Sequence, residues 1–169
     1  KEEDYENALI YMLQSQPHFM ESYEANVLAN YVFSVLLADL YAMLDQAEEV
    51  LQIRHYALEL SKMLPEQFIA CRAHANSHLA FALSDDSEED AFQYAEEAVR
   101  LFEIFNPKHA KLPYLYILMA NLYNDVDDVD MTDFYYAKAL ALVEEIDPDN
   151  HELIDDLRAA LEESETPSE

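Results

Sequence analysis

Met119-Ala120-Asn121-Leu122-Tyr123, followed by Phe134-Tyr135-Tyr136-Ala137-Lys138-Ala139-Leu140 and closed by Asp147-Pro148-Asp149-Asn150, is the stretch that decides the fold. Its opening, a large apolar residue and an alanine with a second large residue three places on, recurs upstream as Leu79-Ala80 with Leu83 and as Leu37-Ala38 with Tyr41. A second set of landmarks is Ala57, Ala98 and Ala139, each about 18 or 19 residues after an alanine of the first set. Pro65, Pro107 and Pro148 form the third and close each unit. The three sets keep their order at a period of roughly 41 residues, inside the window of helical-hairpin arrays. Small residues at fixed places let the two helices of a hairpin approach closely, and a proline stops the second helix because it offers no N–H donor.

Apolar spacing of three and four predicts helices over 4–16, 21–44, 46–64, 65–83, 87–105, 110–124, 130–146 and 150–163. Ser87 with Asp90, and Asp130 with Asp133, supply N-caps and acidic first turns that suit the helix dipole. Composition agrees with an all-α class. Half of the 169 residues are apolar, enough for a sizeable core, and there is no glycine, the residue most sheet turns demand.

The 36 acidic residues against nine basic ones give a formal charge of -27 and a strongly negative field. Direct binding to nucleic-acid phosphates or to anionic lipid is therefore not expected. The longest apolar run, 26–44, is interrupted by Asn30, Ser34 and Asp39, so no membrane span is expected either. The start carries no basic-plus-apolar signal, and the lone Cys71 cannot form an internal disulfide, so a cytoplasmic location is expected.

These residues resemble the tetratricopeptide repeat, in the long variant of about 41 residues found in kinesin light chains and bacterial regulators. The likeness runs over 33–150, and Asn106-Pro107-Lys108-His109 resembles the long variant's inter-repeat turn. Two departures stand out: the family's small residue is usually glycine and here is alanine three times, and the spacing from Pro17 to Ala38 exceeds that of the later units. The resemblance implies a right-handed superhelical solenoid of antiparallel helix hairpins in one domain over 1–163. Its expected parts are a leading half-repeat at 4–16, hairpins at 21–64, 65–105 and 110–146, and a capping helix at 150–163, with 164–169 a disordered tail. Because Asp4-Tyr5-Glu6-Asn7-Ala8 resembles the start of a second helix, the chain is expected to open mid-repeat.

In this family first helices line a concave face that accepts an extended or helical peptide. Placing them in register puts Asp39 on that face with Val32 and Val35; His74, Ser77 and Phe81; and Tyr114, Ile117, Asn121 and Asn124. The family's carboxylate clamp needs Lys, Arg and Asn there, and this face has almost no cation, so a basic or amphipathic protein segment is the expected partner. A homo-oligomer stays open.

No catalytic residue, metal or cofactor is expected. His74 and His78 stand four apart, but the residues between them lack the glutamate of a zinc peptidase. The acidic loop at 125–130 lacks the glycine and distal glutamate of a calcium loop; it and the loop at 84–90 are expected to form a solvated acidic rim. Cys71 near His74 has no orienting third group and reads as a buried structural thiol. The leading functional reading is a non-catalytic interaction scaffold; the alternatives are the peptide-sensing half of a larger regulator and an acidic nucleic-acid mimic.

Overall fold

A computed structural model describes residues 2–21, 26–85 and 87–164. They form α1 (Glu2–Glu21), α2 (Val27–Met43), α3 (Ala47–Met63), α4 (Ile69–Leu83, led by a 3-10 turn at Glu66–Phe68), α5 (Glu88–Phe105), α6 (Leu112–Asp125), α7 (Val129–Ile146) and α8 (His151–Ser164). Among the described residues there is no strand. Residues 22–25, where the second helix was expected to begin, and 165–169, nearly all of the expected tail, lie outside them. Ser164 ends α8.

Three local expectations are corrected. The first helix does not stop at residue 16 but continues through Pro17 to Glu21. Proline withholds one backbone donor, yet its fixed φ is itself helical, so the helix can pass over it at a cost. The cap of α7 is Asp128, not Asp130: its carboxylate accepts from the Met131 N–H at 3.2 Å, while Asp130 sits in the first turn. Ser87 does precede α5, but its hydroxyl donates to the Asp90 carboxylate at 3.0 Å rather than capping a backbone N–H.

The repeat is visible in the backbone. Between α2 and α3, the N–H groups of Leu44, Asp45 and Gln46 donate to the carbonyls of Tyr41, Ala42 and Tyr41. Between α6 and α7, those of Val126, Asp127 and Asp128 donate to Tyr123, Asn124 and Tyr123. Both turns need a left-handed residue, at Asp45 (φ 54°) and Asp127 (φ 59°). Helices usually end there on glycine, and in a chain without glycine the short polar side chain of aspartate is among the least costly substitutes. The inter-unit turns match too: the N–H groups of Asn106 and Asp147 close α5 and α7 on Phe102 and Val143, both at 2.8 Å, and each is followed by a landmark proline.

All six landmark alanines are buried, and Ala38, Ala80, Ala98, Ala120 and Ala139 have no exposed surface. A larger side chain at any of them would hold two helices apart. The chain divides into two compact units, Lys1–Leu79 and Ala80–Glu169, with the boundary inside α4. In the first, Leu37 and Leu60 are core residues, the Tyr31 hydroxyl donates to the Cys71 carbonyl at 2.9 Å, and Arg54 Nη1 donates to the His78 carbonyl at 2.9 Å. In the second, Phe102, Leu112, Leu115 and Met119 are fully buried. Each such side chain stabilises the fold by about 2 kcal/mol. On α8, Ile154 and Leu157 are buried while Glu152, Asp155 and Asp156 are exposed, so its apolar stripe faces inward.

Candidate partner-binding faces

In the first unit, Asp39 and His74 are half-buried, and Ser77 has no exposed surface at all. Ser77 is therefore corrected to a core position: its hydroxyl turns back to the His74 carbonyl at 2.9 Å, which satisfies it without a ligand. The more accessible positions of α4 within this unit include His74 and His78, four residues apart. Burial pulls the Arg54 guanidinium down from its usual range while the Asp39 charge pulls it back up, so the two groups already sense each other. The rest of the α2 stripe is apolar, with Val32 and Leu36 exposed and Val35 half-buried.

In the second unit, Phe81 and Tyr114 are exposed by 42% and 49%, large fractions for aromatic side chains. Asn121 and Asn124 are exposed and Ile117 is half-buried. Tyr114, Ile117, Asn121 and Asn124 recur at helical spacing and share one side of α6. The Tyr136 hydroxyl donates to Asn121 Oδ1 at 2.6 Å and so holds the amide through its oxygen. Beside the base of this stripe lies a hollow of about 320 Å³, lined by Tyr114 with Pro113, Val143, Ile146, Lys108 and Asn150.

A second feature of this unit was not expected from the sequence. Lys138 on α7 lies 4.4 Å from the centre of the Tyr116 ring, with Phe134 and Tyr135 also within cation–π reach, and its ammonium pairs with Glu103 at 2.7 Å. The Tyr116 hydroxyl donates to the same Glu103 oxygen at 2.8 Å. Burial works to raise the Glu103 carboxyl, but those two hydrogen bonds and the lysine charge outweigh it and hold it below the usual range. Tyr135 in turn stacks on Tyr123, with centroids 5.6 Å apart and planes 14° off parallel. The ring cluster joins α5, α6 and α7, and hydropathy periodicity carries no sign of it because its members come from three helices.

The other candidate chemistry stays apart. Among the described residues no three His, Cys, Asp or Glu side chains are grouped to hold a metal ion. The His74 and His78 rings meet edge to face at 6.4 Å. Cys71 is half-buried, and burial pushes its thiol up, away from the reactive thiolate. Among the described residues no helix is long and apolar enough to cross a membrane.

No family model matches the chain, and no curated protein matches it. A solved structure does. BtubC (BKLC) from P. vanneervenii superposes with a TM-score of 0.73 at 16% identity over 95% of this chain. The match shows the fold: this chain has a helical-repeat architecture similar to that of BtubC. It spans 65% of the length of that protein.

Proposed function

We propose that this protein is a non-catalytic interaction scaffold of the tetratricopeptide type, which holds a basic or amphipathic protein segment on the accessible stripe of α6. The single observation that carries the reading is the exposure of Tyr114 together with Asn121 and Asn124 on one side of that helix. Tyrosine is enriched at interfaces because its ring is apolar and its hydroxyl can stay wet, and amides beside it are suited to bonding a peptide backbone. Because Tyr136 holds Asn121 in place, less side-chain freedom is lost on binding. Phe81 extends the proposed contact within the second unit, while Asp39 and His74 are its counterparts in the first.

Charge supports the choice of partner. Two thirds of the 36 acidic residues lie beyond Leu79, so the field is strongest around the unit that carries the stripe. That field speeds the approach of a basic segment and weakens with salt.

The test is titration of an amphipathic Lys/Arg-rich helical peptide into the full chain at low and high salt. Tyr114→Ala weakens binding by about 1 kcal/mol, and introducing a negative charge by Asn121→Asp or a positive one by Asn121→Lys moves affinity in opposite directions. Binding that ignores salt and both substitutions would refute the proposed stripe.

A further inference from the structure

The side of the second unit formed by α5 and α7 carries an open hollow of about 610 Å³, lined by Gln93, Glu96, Glu97, Arg100, Glu103 and Tyr135, with Val99 at its base. Its charges are unequally engaged. Glu97 holds Arg100 through two hydrogen bonds of 2.6 and 2.7 Å, and Glu103 holds Lys138 and Tyr116 through one of its oxygens. Glu96, one helical turn beyond Gln93, is exposed and makes no hydrogen bond or ion pair among the described residues. Its charge nevertheless reaches the rings: it raises the Tyr123 phenol second only to burial, and the Tyr135 phenol after burial and the influence of Tyr123.

We infer that this hollow receives the guanidinium of an arginine from a protein partner, paired with the Glu96 carboxylate, bonded to the Gln93 amide oxygen and packed against Tyr135. The molecule supplies its own precedent next door, where Lys138 takes the same combination of one carboxylate and several aromatic rings. That neighbouring site is filled from within, and the one at Glu96 is not. Arginine fits better than lysine because its planar fork presents several N–H donors at once, enough for both Glu96 and Gln93, which stand three residues apart on one helix face. A flexible ammonium meets the carboxylate but not both acceptors in fixed geometry. The inference rests on the scaffold reading only in taking the arginine from a protein; the hollow belongs to α5 and α7, not to the stripe of α6.

The experiment follows the tyrosine ring resonances of the full chain by NMR during titration with N-acetyl-arginine amide and with N-acetyl-lysine amide. Tyr135 responds saturably to the arginine amide, with affinity at least about fivefold above that of the lysine amide. Glu96→Gln lowers the arginine affinity about fivefold, and Glu152→Gln, which removes the same charge from an exposed position on α8, lowers it by less than about twofold. Glu96 is exposed and unpaired, so its replacement leaves the fold intact. Shifts that never saturate, equal losses in the two variants or equal binding of the two amides would each overturn the inference. Since the probe is a single residue, this result is independent of whether Tyr114→Ala weakens a long peptide, and the two readings fail separately.

Discussion

Replacing Asp127 by glycine makes the protein more stable, although it removes a side chain and adds nothing. Asp127 sits at φ 59°, and Asp125, Asp128 and Asp130 crowd the same turn. A left-handed conformation costs an L-residue roughly 1–2 kcal/mol, with aspartate at the lower end, and glycine adopts it freely. Against that gain stands the loss of about 0.5–1 kcal/mol from the greater freedom of glycine in the unfolded chain. The second contribution is electrostatic. Asp127 lies between the negative end of the α6 dipole and the positive end of the α7 dipole, which oppose each other, so what remains is repulsion from the neighbouring aspartates, about 0.5 kcal/mol. Together these give a stabilisation of about 1 kcal/mol, or a rise in Tm of about 3 °C for a chain of this size. Asp127→Asn removes the charge but keeps the side-chain tolerance and delivers about half as much; Asp127→Ala keeps the conformational cost and delivers little or none. Urea denaturation at low and high salt separates the parts, because the charge contribution is screened while the conformational one persists. Asp45→Gly, in the equivalent turn of the first unit, adds to it independently. A glycine variant less stable than the parent, or an alanine variant as stable as the glycine one, would refute the reasoning.

Two further outcomes test the packing and the titrating groups. Ala120→Leu destabilises the second unit by roughly 2 kcal/mol, read by thermal melting followed by circular dichroism, because Ala120 has no exposed surface and its carbonyl is within 3.4 Å of the Thr132 hydroxyl on α7; a neutral result would mean the helices are not in close contact there. His109 lies against the Phe102 ring at 4.5 Å, and its Nδ1 accepts from the Lys111 N–H at 3.1 Å, an arrangement that only the neutral imidazole can make. Burial, then the Lys111 charge, lowers its folded pKa below 6.5, so its contribution to stability is complete above 6.5 and is lost as pH falls from there through the lower folded value. An NMR titration of the His109 ring with a midpoint at or above 6.5 would contradict this.

Much of the fold is legible in the residues. The buried landmark alanines and the three prolines mark where helices meet and where they end, and each does so through a local property, small size or a missing N–H, that needs no knowledge of neighbours. The outward stripe of α6 is legible for the same reason: Tyr114, Asn121 and Asn124 are exposed at the spacing a helix imposes. On α4 the same reasoning fails at Ser77. That helix is enclosed on most of its circumference, with Ala73, Ala75, Asn76, Leu79 and Ala80 all buried, so a polar side chain does not mark the outer face.

The sequence by itself therefore determined the all-α class, the repeat and the helices, because period and turn chemistry are properties of chain neighbours. Only the tertiary structure decided that the aspartates at 45 and 127 do the work of glycines, that Lys138 is held by rings from two helices and a carboxylate from a third, and that Glu96 faces an open hollow beside Tyr135. Those arrangements depend on distances between residues remote in sequence, and such distances exist only once the helices have packed.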